Sequence, residues 1–96
     1  MKPQVQSLLR FIAANAYRAR HDLGLTQEQV ASKAGMEVSF YQRVERAKTN
    51  LSLVALVGIS NALGVDLLAL FAPAEMHKLP SRGRPLTVKK KKKTSR

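Results

Sequence analysis

Apolar residues recur at intervals of three and four along most of the chain, which is the spacing of amphipathic helices. The first such stretch runs from Gln4 to Leu23 and is followed by Gly24, a residue suited to a left-handed helix cap. The positions that would face inward are Val5, Leu8, Leu9, Ile12, Ala13, Ala16 and Tyr17. The pattern predicts one long helix that buries a single face.

A second, shorter helix is predicted to begin at Thr26. The Thr26 hydroxyl can accept a hydrogen bond from the third helical amide, while the side chain of Gln29 reaches back to the Thr26 amide. This helix ends at Gly35, and only Met36 and Glu37 separate it from the next helical pattern. Two short helices joined by a tight turn that contains glycine indicate a helix-turn-helix.

The third helical pattern has Tyr41 and Val44 facing inward, with the Tyr41 hydroxyl expected at the rim of the core. The outward positions are then Val38, Ser39, Gln42 and Arg43, with Phe40 and Arg46 at the margins. A protruding helix fits the major groove, where each base pair presents its own donors, acceptors and methyl groups. An outward arginine is nevertheless more often a solvated surface residue, and only the motif favours base reading for Arg43.

Two further helices are predicted in the second half of the chain. Ser52 caps the fourth helix and Gly64 ends it. Asp66 caps a fifth, which carries Leu67, Leu68, Leu70 and Phe71. Because the periodicity stops there, the sequence predicts an all-α domain of five helices over residues 1–72.

The charge is divided unevenly between that domain and the rest of the chain. The protein has 17 Lys and Arg against 6 Asp and Glu, a net charge of +11. Residues 1–72 carry eight basic and five acidic side chains (+3), whereas residues 73–96 carry nine and one (+8). Such a surplus indicates a polyanionic partner, either nucleic acid or an acidic membrane surface. Prolines and the run from Lys89 to Lys93 predict a disordered basic tail over residues 73–96.

Other classes of protein are disfavoured by what the sequence lacks. It has no cysteine, so neither disulfides nor thiolate metal sites are expected. His21 and His77 have no carboxylate partners at helical spacing, and no nucleophile, base or metal constellation is recognisable, so we expect no enzyme, metal or cofactor. Without an apolar leader or a membrane-spanning stretch, we expect a cytoplasmic, nucleoid-associated protein with no membrane partner.

Three segments of the chain resemble the phage repressor and Cro (Xre-type) helix-turn-helix family. Leu25–Gly35 is similar to the first part of the family's motif, and Val44–Asn50 to the end of its recognition helix and the following loop. Ala62–Val65, with Leu68 and Phe71, resembles its closing segment. The likeness covers roughly residues 8–71, and residues 50–53 are similar to the controller proteins of restriction–modification systems.

The resemblance implies a compact lambda-repressor-like domain that regulates transcription by docking residues 37–47 in the major groove of double-stranded DNA. In the family, the position of Gln27 binds a phosphate. The positions of Val38, Ser39 and Arg43 read bases. Arg20 and Glu45 match an ion pair between the first helix and the recognition helix. Together with the outward face of the third helix and the polar residues that flank the motif, this gives a candidate DNA-binding set of Thr26, Gln27, Gln29, Val38, Ser39, Phe40, Gln42, Arg43, Arg46, Lys48 and Asn50.

Three residues depart from the family's pattern. Glu37 stands where Ser or Thr usually caps the recognition helix, and its charge would face phosphates. Ala47 replaces a glycine that takes a left-handed conformation, which costs alanine about 1–2 kcal/mol if it is kept. Val38 occupies a position that is often polar, so its contact would be with a thymine methyl group.

The tail contains Arg82-Gly83-Arg84-Pro85, which resembles the core of an AT-hook. In that motif arginines extend along a narrow A·T-rich minor groove, so Arg82 and Arg84 are candidate DNA contacts. The alternative is a solvated basic linker. The lysine run either adds sequence-independent phosphate affinity or serves solubility alone.

The predicted fifth helix has more apolar residues than one small core needs. We expect part of Leu67, Leu68, Leu70 and Phe71, with Val54 and Val57, to form a homodimer interface that sets two recognition helices on a palindromic operator. The alternative is that all of them fill the monomer's core. A different class of function is also open: an antitoxin-like or adaptor protein whose main partner is another protein.

Overall fold

Residues 2–77 are described by the computed structural model, and within them there are four α-helices, one 3₁₀ helix and no strand. The elements are α1 (Pro3–Leu23), α2 (Gln27–Ala34), α3 (Val38–Glu45), α4 (Leu53–Leu63) and the 3₁₀ helix (Leu67–Phe71). The predicted all-α class is confirmed. No helix in this part of the chain combines the length and apolar character needed to cross a membrane.

The prediction of a fifth α-helix is wrong, because Leu67–Phe71 forms a 3₁₀ helix instead. Its start is as expected, since Asp66 Oδ1 accepts a hydrogen bond of 3.0 Å from the amide of Leu68. Its end is set by Pro73, which disfavours helical geometry in the residue before it. Ala72 is accordingly extended, with φ −64° and ψ 136°. Five residues followed by this stop are too few for a stable α-helix.

The main core draws on every one of these elements. Its buried members are Ile12, Ala16, Val30, Ala31, Tyr41, Val44, Leu56, Ile59, Leu63 and Leu70. Gly58 allows α2 and α4 to approach closely, because a Cβ at this position would lie 2.8 Å from the carbonyl oxygen of Ala34. Since that neighbour is backbone and cannot turn aside, any side chain at residue 58 would force the two helices apart.

A second, smaller cluster consists of Leu9, Ala13 and Ala47, with Leu51 and Met76 packed against it. Met76 lies in the stretch 73–77, which the sequence assigned to the disordered tail. Within this stretch, Met76 and His77 are half-buried, whereas Pro73 and Glu75 are exposed. The rest of the predicted tail, including Arg82, Arg84 and the lysine run, lies outside the described residues.

The four residues predicted for a dimer interface differ in exposure. Leu70 is 1% exposed and belongs to the core of the monomer, so its assignment to an interface is corrected. Leu67 and Phe71 are half-buried and pack against that core. Leu68 is 74% exposed and is the one member of the set with a largely free side chain.

Candidate nucleic-acid interface

The turn between α2 and α3 sets the position of the exposed helix. Gly35 ends α2 with φ 74°, a left-handed conformation that strains any residue with a Cβ. The amide of Met36 then donates to the carbonyl of Ala31 at 2.9 Å, which closes the end of the helix. With so short a turn, α3 is held at a fixed angle to α2.

The predicted capping box at the start of α2 is confirmed. The amide of Gln29 donates to Thr26 Oγ1 at 3.0 Å, and the amide of Thr26 donates to Gln29 Oε1 at 2.8 Å. The cap therefore uses the carbonyl oxygen of the Gln29 side chain and leaves its NH₂ group as a donor. Donors at a helix start suit a phosphate oxygen.

Helix α3 has one buried and one exposed face. Tyr41, Val44 and Glu45 are buried. Ser39, Gln42 and Arg43 are exposed, as is Arg46 directly after the helix. This division agrees with the helical spacing read from the sequence, and it leaves polar side chains on the face that a groove would meet.

Two apolar residues of α3 lie between these faces. Val38 and Phe40 are half-buried and pack against the main core, so only part of each side chain is open to a ligand. The Arg43 guanidinium carbon lies 5.6 Å from the centre of the Phe40 ring. This cation–π contact restricts where the arginine can extend. Glu37, at the start of α3, makes no side-chain capping bond.

The pair of Arg20 and Glu45 joins α1 to the end of α3. Arg20 Nε lies 2.7 Å from Glu45 Oε2, and Arg20 Nη2 lies 3.0 Å from Glu45 Oε1. Arg20 Nη1 also donates to the carbonyl of Leu25 at 3.0 Å. Because two donors of the planar guanidinium meet the two carboxylate oxygens, the pair fixes orientation as well as distance.

Burial alone would raise the pKa of the Glu45 carboxyl, because the residue as a whole is 2% exposed. Hydrogen bonds from Arg20 and Gln27 outweigh that effect and hold the pKa below its usual range. Glu45 is therefore charged in the folded protein at neutral pH. A buried charge of this kind is stable only while its partners stay in place.

Gln27 connects this buried pair to the exposed face of α3. Its Nε2 donates to Glu45 Oε1 at 3.0 Å, and its Oε1 accepts from Gln42 Nε2 at 3.4 Å. The sequence suggested a phosphate contact for Gln27 but gave no sign of these bonds, which join residues far apart in the chain. The Gln27 side chain keeps one amide hydrogen for an outside acceptor.

The Tyr41 hydroxyl was expected at the rim of the core, and this expectation is wrong. The whole residue is 0% exposed, and its hydroxyl has no hydrogen-bond partner among the described residues. Burial is the main cause that raises the pKa of Tyr41, and the nearby Glu45 charge raises it further. Tyr41 is therefore neutral and serves to fill the space beneath α3.

The loop after α3 keeps the left-handed conformation despite the missing glycine. Ala47 has φ 57°, and the amide of Lys48 donates to the carbonyl of Arg43 at 2.9 Å. Gln6 Nε2 on α1 donates to the Ala47 carbonyl at 3.3 Å. Lys48 and Asn50 are exposed on this loop, close in sequence to Arg46.

A short helix, held by a tight turn and exposing an arginine and two other polar side chains, defines a helix-turn-helix DNA-binding domain. Within the described part of the chain, no group of three or more His, Asp or Glu side chains could hold a metal ion.

The chain belongs to the Helix-turn-helix family, which it matches over residues 16–70. It is similar to an uncharacterized HTH-type transcriptional regulator, y4dJ, of Sinorhizobium fredii, with 30% identity over 66 residues that cover 69% of this chain and 86% of the relative. The resemblance read from the sequence is thus confirmed, and the protein is a DNA-binding transcriptional regulator of the Xre type.

Two solved structures have the same fold. The restriction-modification controller protein C.AhdI of Aeromonas hydrophila matches with a TM-score of 0.63 and 32% identity, over 66% of this chain and 96% of that one. The hypothetical transcription factor NHTF from Neisseria matches with a TM-score of 0.68 and 30% identity, over 76% of this chain and 84% of that one.

Proposed function

We propose that the protein recognises a specific DNA sequence by placing the exposed face of α3 in the major groove. The observation that carries this proposal is the division of α3, which buries Tyr41, Val44 and Glu45 and exposes Ser39, Gln42 and Arg43. Arg43 can pair through two hydrogen bonds with O6 and N7 of a guanine. Ser39 and Gln42 can accept from or donate to neighbouring base edges.

The residues that flank α3 are suited to phosphates. At the start of α2, Thr26 and Gln29 form the cap, and Gln27 keeps one amide hydrogen. Beyond the end of α3, Arg46, Lys48 and Asn50 are exposed. Contacts of this kind fix the register of a protein on the duplex, while base contacts supply the specificity. Val38 and the edge of Phe40 offer apolar contact with a thymine methyl group.

Replacing Arg43 by alanine is expected to weaken binding to the preferred site by about 1–3 kcal/mol, because a bidentate pair with guanine is removed. The preferred site is first selected from random duplex DNA, and binding is then measured on selected and scrambled duplexes. Arg43→Lys keeps the charge without the planar fork, so it should lose specificity as well. Arg10→Ala, which removes an exposed arginine from α1, is the control. An unchanged ratio of selected to scrambled affinity in Arg43→Ala would contradict the proposal.

We further propose that two copies bind together on a palindromic operator. The support is a set of exposed apolar side chains on two elements that pack together, α4 and the 3₁₀ helix. They are Leu53, Val54, Val57 and Leu68, exposed by 71%, 83%, 43% and 74%. A group of large apolar side chains left exposed in a monomer marks a surface that another protein can cover. If a second copy covers it, two-fold symmetry would place the two recognition helices about 34–36 Å apart, one turn of DNA.

The mass in solution tests the dimer. At micromolar concentration, sedimentation equilibrium should give twice the mass of the chain, and Leu68→Glu should give the monomer mass because a charge cannot be buried in the interface. Leu23→Glu is the matched control, since Leu23 is also exposed but lies at the end of α1. A strictly monomeric parent protein would rule the dimer out.

The similarity to C.AhdI, a restriction-modification controller protein, supports a role in controlling transcription from a nearby operator. The DNA sequence selected from random duplexes tests this role. A regulator's operator should be found upstream of the genes that it controls, so the selected sequence should occur at such a place.

A further inference from the structure

The last described residues of the chain fold back along α1. Asn15 Nδ2 donates to the carbonyl of Leu70 at 2.9 Å and to that of Ala72 at 2.8 Å, which ties the end of the 3₁₀ helix to α1. Four residues further on, Met76 packs against the cluster of Leu9, Ala13 and Ala47. The chain is therefore held on α1 well past the last helical residue.

His77 completes this contact by stacking on Tyr17. The two ring centres are 3.8 Å apart and the planes differ by 2°. Tyr17 also meets His21, at 4.2 Å between ring centres, and the guanidinium of Arg20, at 5.5 Å from the ring centre. Burial lowers the pKa of His77, so the stacked imidazole is neutral at neutral pH.

The contacts of Met76 and His77 with α1, here called the anchor, lie beside the end of the recognition helix. Arg20, which touches the Tyr17 ring, also forms the ion pair with Glu45, the last residue of α3. Met76 packs against the cluster that includes Ala47, which stands between Arg46 and Lys48 in the loop that follows α3. The stretch 76–77 is thus connected to the end of α3 by two indirect routes, although many residues separate them in sequence. One runs from His77 through Tyr17 and Arg20, and the other through the cluster on which Met76 packs.

The chain beyond the anchor is strongly basic. Residues 78–96 hold nine basic side chains and no acidic one: Lys78, Arg82, Arg84, Lys89 to Lys93 and Arg96. The first of them follows His77 directly. At roughly 3.3–3.6 Å per residue, the lysine run begins within about 43 Å of His77, which is little more than one turn of DNA.

We propose that the stacking of His77 on Tyr17 makes the basic segment 78–96 start beside the recognition helix, where it binds the phosphate backbone of the same duplex. The inference rests on the proposed function, since it assumes that α3 lies in the major groove. Without the anchor, the chain would be free from Ala72 onward, and more conformational entropy would be lost on binding. With it, the basic segment acts at a high effective concentration on one flank of the site. His77 is thus a positioning residue for the segment that follows it.

The test maps where the basic segment lies on DNA. Because the chain has no cysteine, Ser81→Cys gives one attachment point for an iron–EDTA reagent that cuts nearby DNA. On a selected duplex labelled at one end, the Ser81→Cys protein should cut a single narrow region beside its own footprint. Adding His77→Ala should broaden this region and lower its peak by about threefold or more, the size expected when effective concentration falls.

His21→Ala, added to Ser81→Cys, is the matched control. It removes the other histidine from the Tyr17 ring and leaves the anchor in place, so its cutting should equal that of Ser81→Cys alone. The footprint of the domain is recorded in each case to show that folding and docking are unchanged. A cutting pattern in His77→Ala that matches the parent in position and intensity would overturn the inference, as would a clear domain footprint with no cutting. A protein that gives no footprint on any selected duplex would instead refute the proposed function.

Discussion

Replacing Glu45 by alanine is expected to lower the free energy of unfolding by about 3–5 kcal/mol, because it leaves the Arg20 guanidinium without its buried partner. The side chain of Arg20 is 11% exposed and that of Glu45 is 3% exposed, so bulk solvent compensates little for the lost carboxylate. Gln27 would lose its acceptor on Glu45 as well. Urea unfolding followed by circular dichroism measures the change.

Two variants separate the charge from the shape of this residue. Glu45→Gln keeps the size of the side chain but not its charge, and most of the destabilisation should remain. Replacing Arg20 and Glu45 together by methionine removes both charges, and the double variant should be more stable than Glu45→Ala. A destabilisation of less than about 1 kcal/mol in Glu45→Ala would mean that the pair contributes no more than an exposed one.

The same pair gives stability a dependence on pH. The pKa of Glu45 is lower in the folded protein than its ordinary value of 4.5. Its contribution is therefore complete above pH 4.5 and is lost as the pH falls through the lower, folded pKa. The Glu45→Gln protein has no carboxyl group to protonate at residue 45. Its free energy of unfolding should therefore fall less steeply than that of the parent below pH 4.5.

Ending the chain at His77 is expected to lower DNA affinity by roughly a hundredfold or more at low salt and by much less at high salt. Nine basic side chains are removed, and the slope of log K against log salt should become shallower by about 0.9 for each phosphate that they neutralise. The preference for the selected sequence should persist, because α3 is intact. Titrations of selected and scrambled duplexes at several salt concentrations measure both quantities.

A chain of unchanged length with glutamine in place of Lys89 to Lys93 is the control for charge without truncation. It should reproduce part of the decrease in slope. Arg82→Gln with Arg84→Gln tests the AT-hook resemblance, since a true minor-groove contact would also lose its preference for A·T-rich flanks. Equal salt slopes for the full and shortened chains would show that the basic segment makes no contact with DNA.

The sequence predicted the features of this fold that depend on neighbouring residues. The caps at Thr26 and Ser52 were predictable because a hydroxyl and the amide three residues later suffice to define them. The helical spacing likewise separated the buried Tyr41 and Val44 from the exposed Arg43. Both features are determined by residues within a few positions of one another, so the spacing in the sequence is enough to predict them.

The type of the last helix and several contacts between distant residues were not predictable. The apolar content of residues 67–71 gave no reason to expect a 3₁₀ helix, because Pro73 and its effect on Ala72 decide where that helix ends. The bonds of Gln27 and the stacking of His77 on Tyr17 join residues that meet only in the folded chain. The role of the basic segment was assigned from charge alone, and charge does not say where a segment begins in space.

Ala47 has a consequence for how this protein can change over evolutionary time. Its left-handed backbone costs about 1–2 kcal/mol relative to glycine. Its methyl group, however, is buried against Leu9 and Ala13, which offsets about 0.8 kcal/mol of that cost. The smaller flexibility of alanine in the unfolded chain offsets about 0.4–1 kcal/mol more. The two residues are nearly equivalent here, so a lineage can drift between them without a compensating change elsewhere.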